Sequence, residues 1–122
     1  MIKERYCSLE LSKLLKEKGF DEKTFTYYDD DILCNGGWFE WNRSPLGHIS
    51  APTHQMAMDW LREIHKLHIG IERGPRGYHL TIEIIPLGVV KYVTREIVGT
   101  NYVESFKDGV EAALKYALEN LI

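Results

Sequence analysis

The stretch "LHIGIERGPRGYHLTIEIIP", residues 67–86, decides how the rest of the chain is read. Ile69 and Ile71 alternate with polar or small residues, and Leu80, Ile82 and Ile84 repeat the same period after the break "GPRG" at 74–77. A period of two places one apolar set on one face of a pleated strand, and glycine with proline supplies the turn, so an antiparallel hairpin is predicted. Beyond Pro86 and Gly88, "VVKYV" (89–93) is rich in β-branched residues and extends the sheet. "TREIVGTNYVE" (94–104) reads as an edge strand or a loop.

Upstream lies "APTHQMAMDWLREIHKLH" (51–68), with three of the five histidines of the chain. At 100° per residue Ala57, Trp60, Leu61 and Ile64 share one stripe, while Asp59, Arg62, Glu63 and Lys66 lie opposite. This is the pattern of a core-facing helix, capped by Ser50 or Thr53, with Pro52 tolerated near its start and its end near Lys66. His54 and His65 are about 16 Å apart along such a helix and cannot share an ion. His68 falls where the strand begins, and no Cys, Asp or Glu completes a set with His65, so no metal site is expected.

Towards the N-terminus, "SLELSKLLKEKGF" (8–20) reads as a short helix with Ser8 as its cap, Leu11, Leu14 and Leu15 on one face, and Gly19 at its C-terminal end. "TFTYY" (24–28), "DDD" (29–31) and "ILC" (32–34) read as a second hairpin. Residues 35–50, "NGGWFEWNRSPLGHIS", are the least regular part, a strand extended by a loop. "SFKDGVEAALKYALENLI" (105–122) opens on a capping-box variant, Ser105 and Asp108, followed by a stripe of Val110, Ala113, Leu114, Ala117 and Leu121. The expectation is a single α+β domain over residues 1–122: an antiparallel sheet of four to five strands with three helices packed on it, in the order α-β-β-α-β-β-(β)-α.

Composition agrees with a folded chain. Of 122 residues 44% are hydrophobic and 11% aromatic, far from the signature of disorder. Cys7 and Cys34 match no disulfide framework, zinc or redox spacing and are read as reduced thiols. The N-terminus lacks an apolar export segment, and the longest uncharged apolar run, "IIPLGVV", is too short to span a bilayer, so a cytoplasmic protein without membrane contact is expected. A net charge of −3 provides no global pull towards a phosphate backbone.

Five residues stand out as binding candidates. Trp38 and Trp41, beside Phe39 and Arg43, offer flat rings next to a guanidinium, a platform for a base, sugar or peptide. Arg73 and Arg76 flank the hairpin tip, where "GPRG" has the spacing of the glycine loop of KH nucleic-acid-binding domains, although that loop joins two helices and this one joins two strands. The triple aspartate lacks the spaced ligands of a calcium loop and reads as a turn. No nucleophile elbow, phosphate loop, dinucleotide fingerprint or paired-carboxylate motif is present, so no catalytic residue and no cofactor is assigned.

The segments "LSKLLKEKGFDE", "APTHQMAMDWLREIH" and "EAALKYALENLI" resemble a family of short uncharacterised proteins of gut Bacteroidales and their prophages or mobile elements. The resemblance covers the start, the middle helix and the C-terminal helix, and residues 35–48 depart from it. It implies a cytosolic accessory protein of phage origin and assigns no site residue. The resulting expectation is a small non-enzymatic interaction module, homodimeric or bound to a protein partner. The alternative is a nucleic-acid-associated factor using Arg43, Arg73, Arg76 and the two tryptophans, and an enzyme without a recognisable motif ranks last.

Overall fold

A computed structural model describes residues 5–122. The chain divides into two compact units, one ending at Ala57 and the other comprising Met58–Ile122, and the division falls inside one helix.

The first unit begins with α1 (Leu9–Glu17). Ser8 caps it by accepting a hydrogen bond from the Leu11 amide at 3.2 Å. Its C-terminus closes on Gly19, at φ 91°, where the Gly19 and Phe20 amides donate back to the carbonyls of Lys16 and Leu15. That closure folds the Phe20 ring into the core beside the buried Leu11 and Leu15. Strands β1 (Thr24–Asp29), β2 (Ile32–Phe39) and β3 (Ile49–Ser50) form an antiparallel sheet in the order β2-β1-β3. Thr24 and Thr26 point inward, and each hydroxyl donates to a backbone carbonyl: Thr24 to Thr26 at 2.8 Å and Thr26 to Ala51 at 2.6 Å. Buried hydroxyls are tolerated here because each has a partner.

The second unit takes over within α2 (His54–His65), whose N-terminal turn is capped by the Thr53 hydroxyl accepting from Met56 N at 3.2 Å. Strands β4 (Leu67–Gly74), β5 (Gly77–Ile84) and β6 (Val89–Tyr92) make a second antiparallel sheet in the order β4-β5-β6. The register pairs Ile69 with Ile82 and Ile71 with Leu80, so the alternation read from the sequence lines one face. A short helix, α3 (Thr94–Val98), and a long one, α4 (Phe106–Asn120), follow. α4 lies across β4 and β5, and Gly109 permits the approach, since a Cβ there would stand 3.2 Å from Leu80.

The α+β class is as expected, and three details are corrected. The strands form two three-stranded sheets instead of one sheet of four to five. Alternation counts strands but does not say which edges meet, and β3 returns to β1 through the pairs Tyr27–Ser50 and Tyr28–Ile49. Among the described residues there are four α-helices instead of three, because "TREIV" coils into α3 and stops at Gly99, which takes the left-handed C-cap at φ 75°. β-branched residues bias this stretch towards strand, and local capping overrides them. Finally, Ile64 is exposed instead of completing the α2 stripe, and Leu118 occupies the buried position expected of Leu121. Among the described residues no helix is long and apolar enough to cross a membrane.

Candidate anion-binding cleft

The two predicted tryptophans sit in different ring clusters of the first unit. Trp41 is half-buried and stacks on Tyr27 with centroids 4.1 Å apart, its edge also meeting Phe39 and His48. Its indole Nε1 donates to the carbonyls of Thr24 at 2.9 Å and Gly37 at 3.1 Å. Gly36 lies beneath this stack, where a Cβ would come within 2.5–2.8 Å of both rings. Trp38 is 64% exposed and, among the rings of the described residues, meets the edge of Phe25 alone, at 5.9 Å. Arg43 is engaged: its guanidinium lies 2.7 Å from Asp21 and 3.5 Å from Glu40. These contacts make Trp41 a strut and leave Trp38 more open than the also exposed Phe25 and Phe39.

Arg73 and Arg76 belong to the second unit, and they differ. Arg73 lies over the Tyr78 ring, 5.3 Å from its centroid, and donates to its hydroxyl at 3.2 Å. Arg76, at the hairpin tip with Pro75, has no hydrogen-bond or ion-pair partner among the described residues.

What Arg76 faces is built by the segment between β6 and α4. The chain leaves the free edge of β5 at Leu80, whose amide donates to the Thr94 hydroxyl at 2.7 Å. It rejoins that edge at Tyr78, whose amide and carbonyl exchange bonds of 2.7 and 2.8 Å with Val103. His79 is the residue between these two anchors. The excursion spanning it contains α3, Gly99 and the turn 100–102, with the Thr100 hydroxyl donating to the Tyr102 carbonyl at 2.7 Å. Gly77 makes the second anchor possible. Its φ of 151° disfavours any L side chain, and a Cβ would collide with the Val103 carbonyl and the Tyr102 ring.

The result is a cleft of about 480 Å³. Pro75, Arg76 and His79 line it from the hairpin, Arg95 from α3, and residues 99–102 from the turn. It contains two guanidiniums, one imidazole and no carboxylate. Arg95 donates to a neutral acceptor, Asn101 Oδ1, at 3.2 Å, and that contact aims the Asn101 side chain by its oxygen. The Asn101 amide nitrogen and both His79 ring nitrogens have no partner among the described residues. Planar guanidiniums bind oxyanions by paired, charge-assisted hydrogen bonds, so a lining with two guanidiniums and no carboxylate fits an anion. Its volume matches small-molecule pockets, which run from about 300 to 1,000 Å³.

Of the residues predicted as sites, only Arg76 lines this cleft. Arg95, His79, Asn101 and Tyr102 were missed by the sequence reading, which treated 94–104 as strand or loop. The signal that could have found Arg95 is Gly99, a C-cap glycine one residue past "TREIV". Among the described residues the histidines of 51–68 gather no ligand set. His54 is buried, His65 packs edge-on against Trp60 at 4.7 Å, and His68 lies on β4. Among the described residues no group of three or more His, Cys, Asp or Glu side chains could hold a metal ion.

Searches against protein-family models, curated proteins and solved structures found no match for this chain.

Proposed function

We propose that the protein is a small non-enzymatic binding module that holds an anionic ligand in the cleft between the β4–β5 tip and the α3–α4 connection. The observation that carries this reading is the convergence of Arg76, Arg95 and His79 on one cavity without a carboxylate in its lining. Charge-assisted hydrogen bonds contribute about 1.5–3 kcal/mol each, so two to three of them give roughly 3–9 kcal/mol before the cost of association of about 4 kcal/mol or more, which corresponds to a dissociation constant of about 0.2 mM or weaker. The accessory role of mobile-element origin implied by the sequence resemblance is compatible with such a module and forms part of the proposal.

The test is calorimetric titration with pyrophosphate at low salt. Saturable binding that weakens about tenfold in Arg76→Ala and in Arg95→Ala supports the reading. Absence of saturable binding, or binding that neither variant changes, contradicts it.

One observation favours a second reading, self-association through the first unit. Strand β2 is an edge strand that exposes Ile32, Leu33, Trp38 and Phe39 and has no charge or proline between Ile32 and Phe39. Edges are usually blunted by such residues, and an unblunted one pairs with a second copy. Light scattering distinguishes the outcomes: a dimer that Leu33→Lys converts to monomer supports pairing, and a wild-type monomer at high concentration removes it.

A further inference from the structure

We infer that His79 makes anion binding in this cleft proton-linked: the imidazole takes up a proton from solvent as the anion enters, so the site tightens as the pH falls. This names the regulation of the anion-binding cleft and rests on that reading. His79 lies between Tyr78, which bonds to Val103, and Leu80, which bonds to the Thr94 hydroxyl. The excursion that carries Arg95 therefore leaves and rejoins β5 on either side of this one residue. Side chains alternate along a strand, and its two neighbours face α4: Tyr78 meets the Phe106 ring, and Leu80 lies against Gly109. His79 accordingly points to the other face. Its half-buried imidazole reaches across to Gly74, where a Cβ would stand 2.8 Å from Nε2, and lines the cleft with Arg76.

The charged and titratable groups around the imidazole come from every side. Arg76 at the hairpin tip, Arg95 on α3 and Tyr102 on the turn share the cleft with it, and Glu72 faces it across the β4–β5 register. No ion pair joins His79 to Glu72 among the described residues. A proton on His79 adds a third positive charge to a lining that holds two guanidiniums and no carboxylate. An anion held by those guanidiniums offsets their charge and favours the imidazolium. The effect does not depend on which donors the anion touches. A cleft of about 480 Å³ is about 10 Å across, and the Debye length at 0.1 M salt is also about 10 Å, so an anion within it is only partly screened from the imidazole. Imidazoles ordinarily titrate near pH 6.5, which places the linkage between about pH 6 and 8. By reciprocity, the factor by which the proton tightens the anion equals the factor by which the anion tightens the proton.

His68 provides a comparison within the same sheet. It faces Glu83 on β5 as His79 faces Glu72 on β4, and it does not line the cleft. The cross-strand glutamate is common to both histidines, and the two guanidiniums are particular to His79.

The experiment titrates the whole chain with sulfate at pH 6 and at pH 8, with ionic strength held constant by chloride. Sulfate keeps both charges throughout, whereas a phosphate group itself takes up a proton near pH 6. The expected result is binding about threefold or more tighter at pH 6 in the wild type, and equal at the two pH values in His79→Gln. A second readout needs no variant. The imidazole C–H resonances of the wild type, followed from pH 5.5 to 8.5 with and without saturating sulfate, should show the His79 midpoint rising by more than about half a pH unit and that of His68 unmoved. A His79 midpoint that sulfate does not move, or a pH dependence that persists in His79→Gln, overturns the inference. So does sulfate binding that is equal at both pH values, or absent at both while pyrophosphate binds, and each of these outcomes leaves an anion-binding cleft intact. If neither anion binds at any pH, the anion-binding reading itself fails, and the inference with it.

Discussion

Both units carry an arginine near an aromatic-lined turn, and the two arginines have opposite fates. In the first unit Arg43 is matched by Asp21 and Glu40, and the Trp41 ring beside it is spent on Tyr27 and two backbone carbonyls. In the second, Arg76 has no partner among the described residues, and Arg95 has only an amide oxygen. A guanidinium with a carboxylate at 2.7 Å already holds its anion. One without such a partner, in a cleft free of acidic groups, has that role open. The contrast separates arginines that tie a surface together from arginines that can receive a ligand.

The sheets differ in the same spirit. The second is closed by aliphatic packing, with Leu80, Ile82, Leu114 and Leu118 fully buried. The first buries Leu11, Leu15 and Phe20 and adds to them threonine hydroxyls on backbone carbonyls and the ring stack over Gly36. Leu80→Ala should therefore give the largest loss of stability, about 2–5 kcal/mol, whereas Thr26→Val, which leaves the Ala51 carbonyl without its donor, should cost about 1–3 kcal/mol. Denaturant unfolding of each variant, with hydrogen exchange to locate the weakened unit, checks this order. Equal losses would erase the distinction between the sheets.

Gly36 and Gly77 sharpen it further. Each occupies a position where a Cβ has no room, against rings in one case and against a carbonyl in the other. Gly36→Ala and Gly77→Ala should each destabilise by about 1–3 kcal/mol, but only Gly77→Ala should also abolish anion binding. Titration of both folded variants with pyrophosphate decides the point. Arg43→Ala should change stability by no more than about 1 kcal/mol, because its ion pairs are exposed, and should leave anion affinity unaltered.

The smallest effect concerns one tyrosine in each unit. The bond from Tyr116 to Glu96, with burial and the nearby carboxylate charge, raises its phenol above the ordinary value. Burial first, then Cys34 and Asp29, raises that of Tyr27. A folded-state value above the unfolded one gives stability that is complete below the unfolded tyrosine value of about 10 and is lost as pH rises through the folded value. Following tyrosinate absorbance, Glu96→Gln should bring Tyr116 towards the ordinary range and leave Tyr27 late.

How much was legible in the sequence follows from how local each signal is. The 67–86 hairpin and its inward face, the caps at Ser8 and Ser105, and the helix end at Gly19 depend on a few neighbouring residues, and all were readable. The return of β3 to β1, the tie of α3 to β5 through Thr94 and the bridge from Tyr78 to Val103 depend on partners 14 to 25 or so positions away, which no periodicity reports. For the same reason Arg76 could be picked from a turn motif, while Arg95 and His79 could not be joined to it. The cleft exists only after the excursion from Thr94 to Val103 has closed.

The central claim is that this cleft, and not the exposed aromatic edge, receives the anion. The most direct measurement is a backbone amide NMR titration with pyrophosphate at low salt, using the assigned wild-type chain. The account expects saturable shifts confined to residues 74–80 and 94–103, lost in Arg76→Ala. Shifts concentrated on β2 around Trp38, or no saturable shift anywhere, would contradict it.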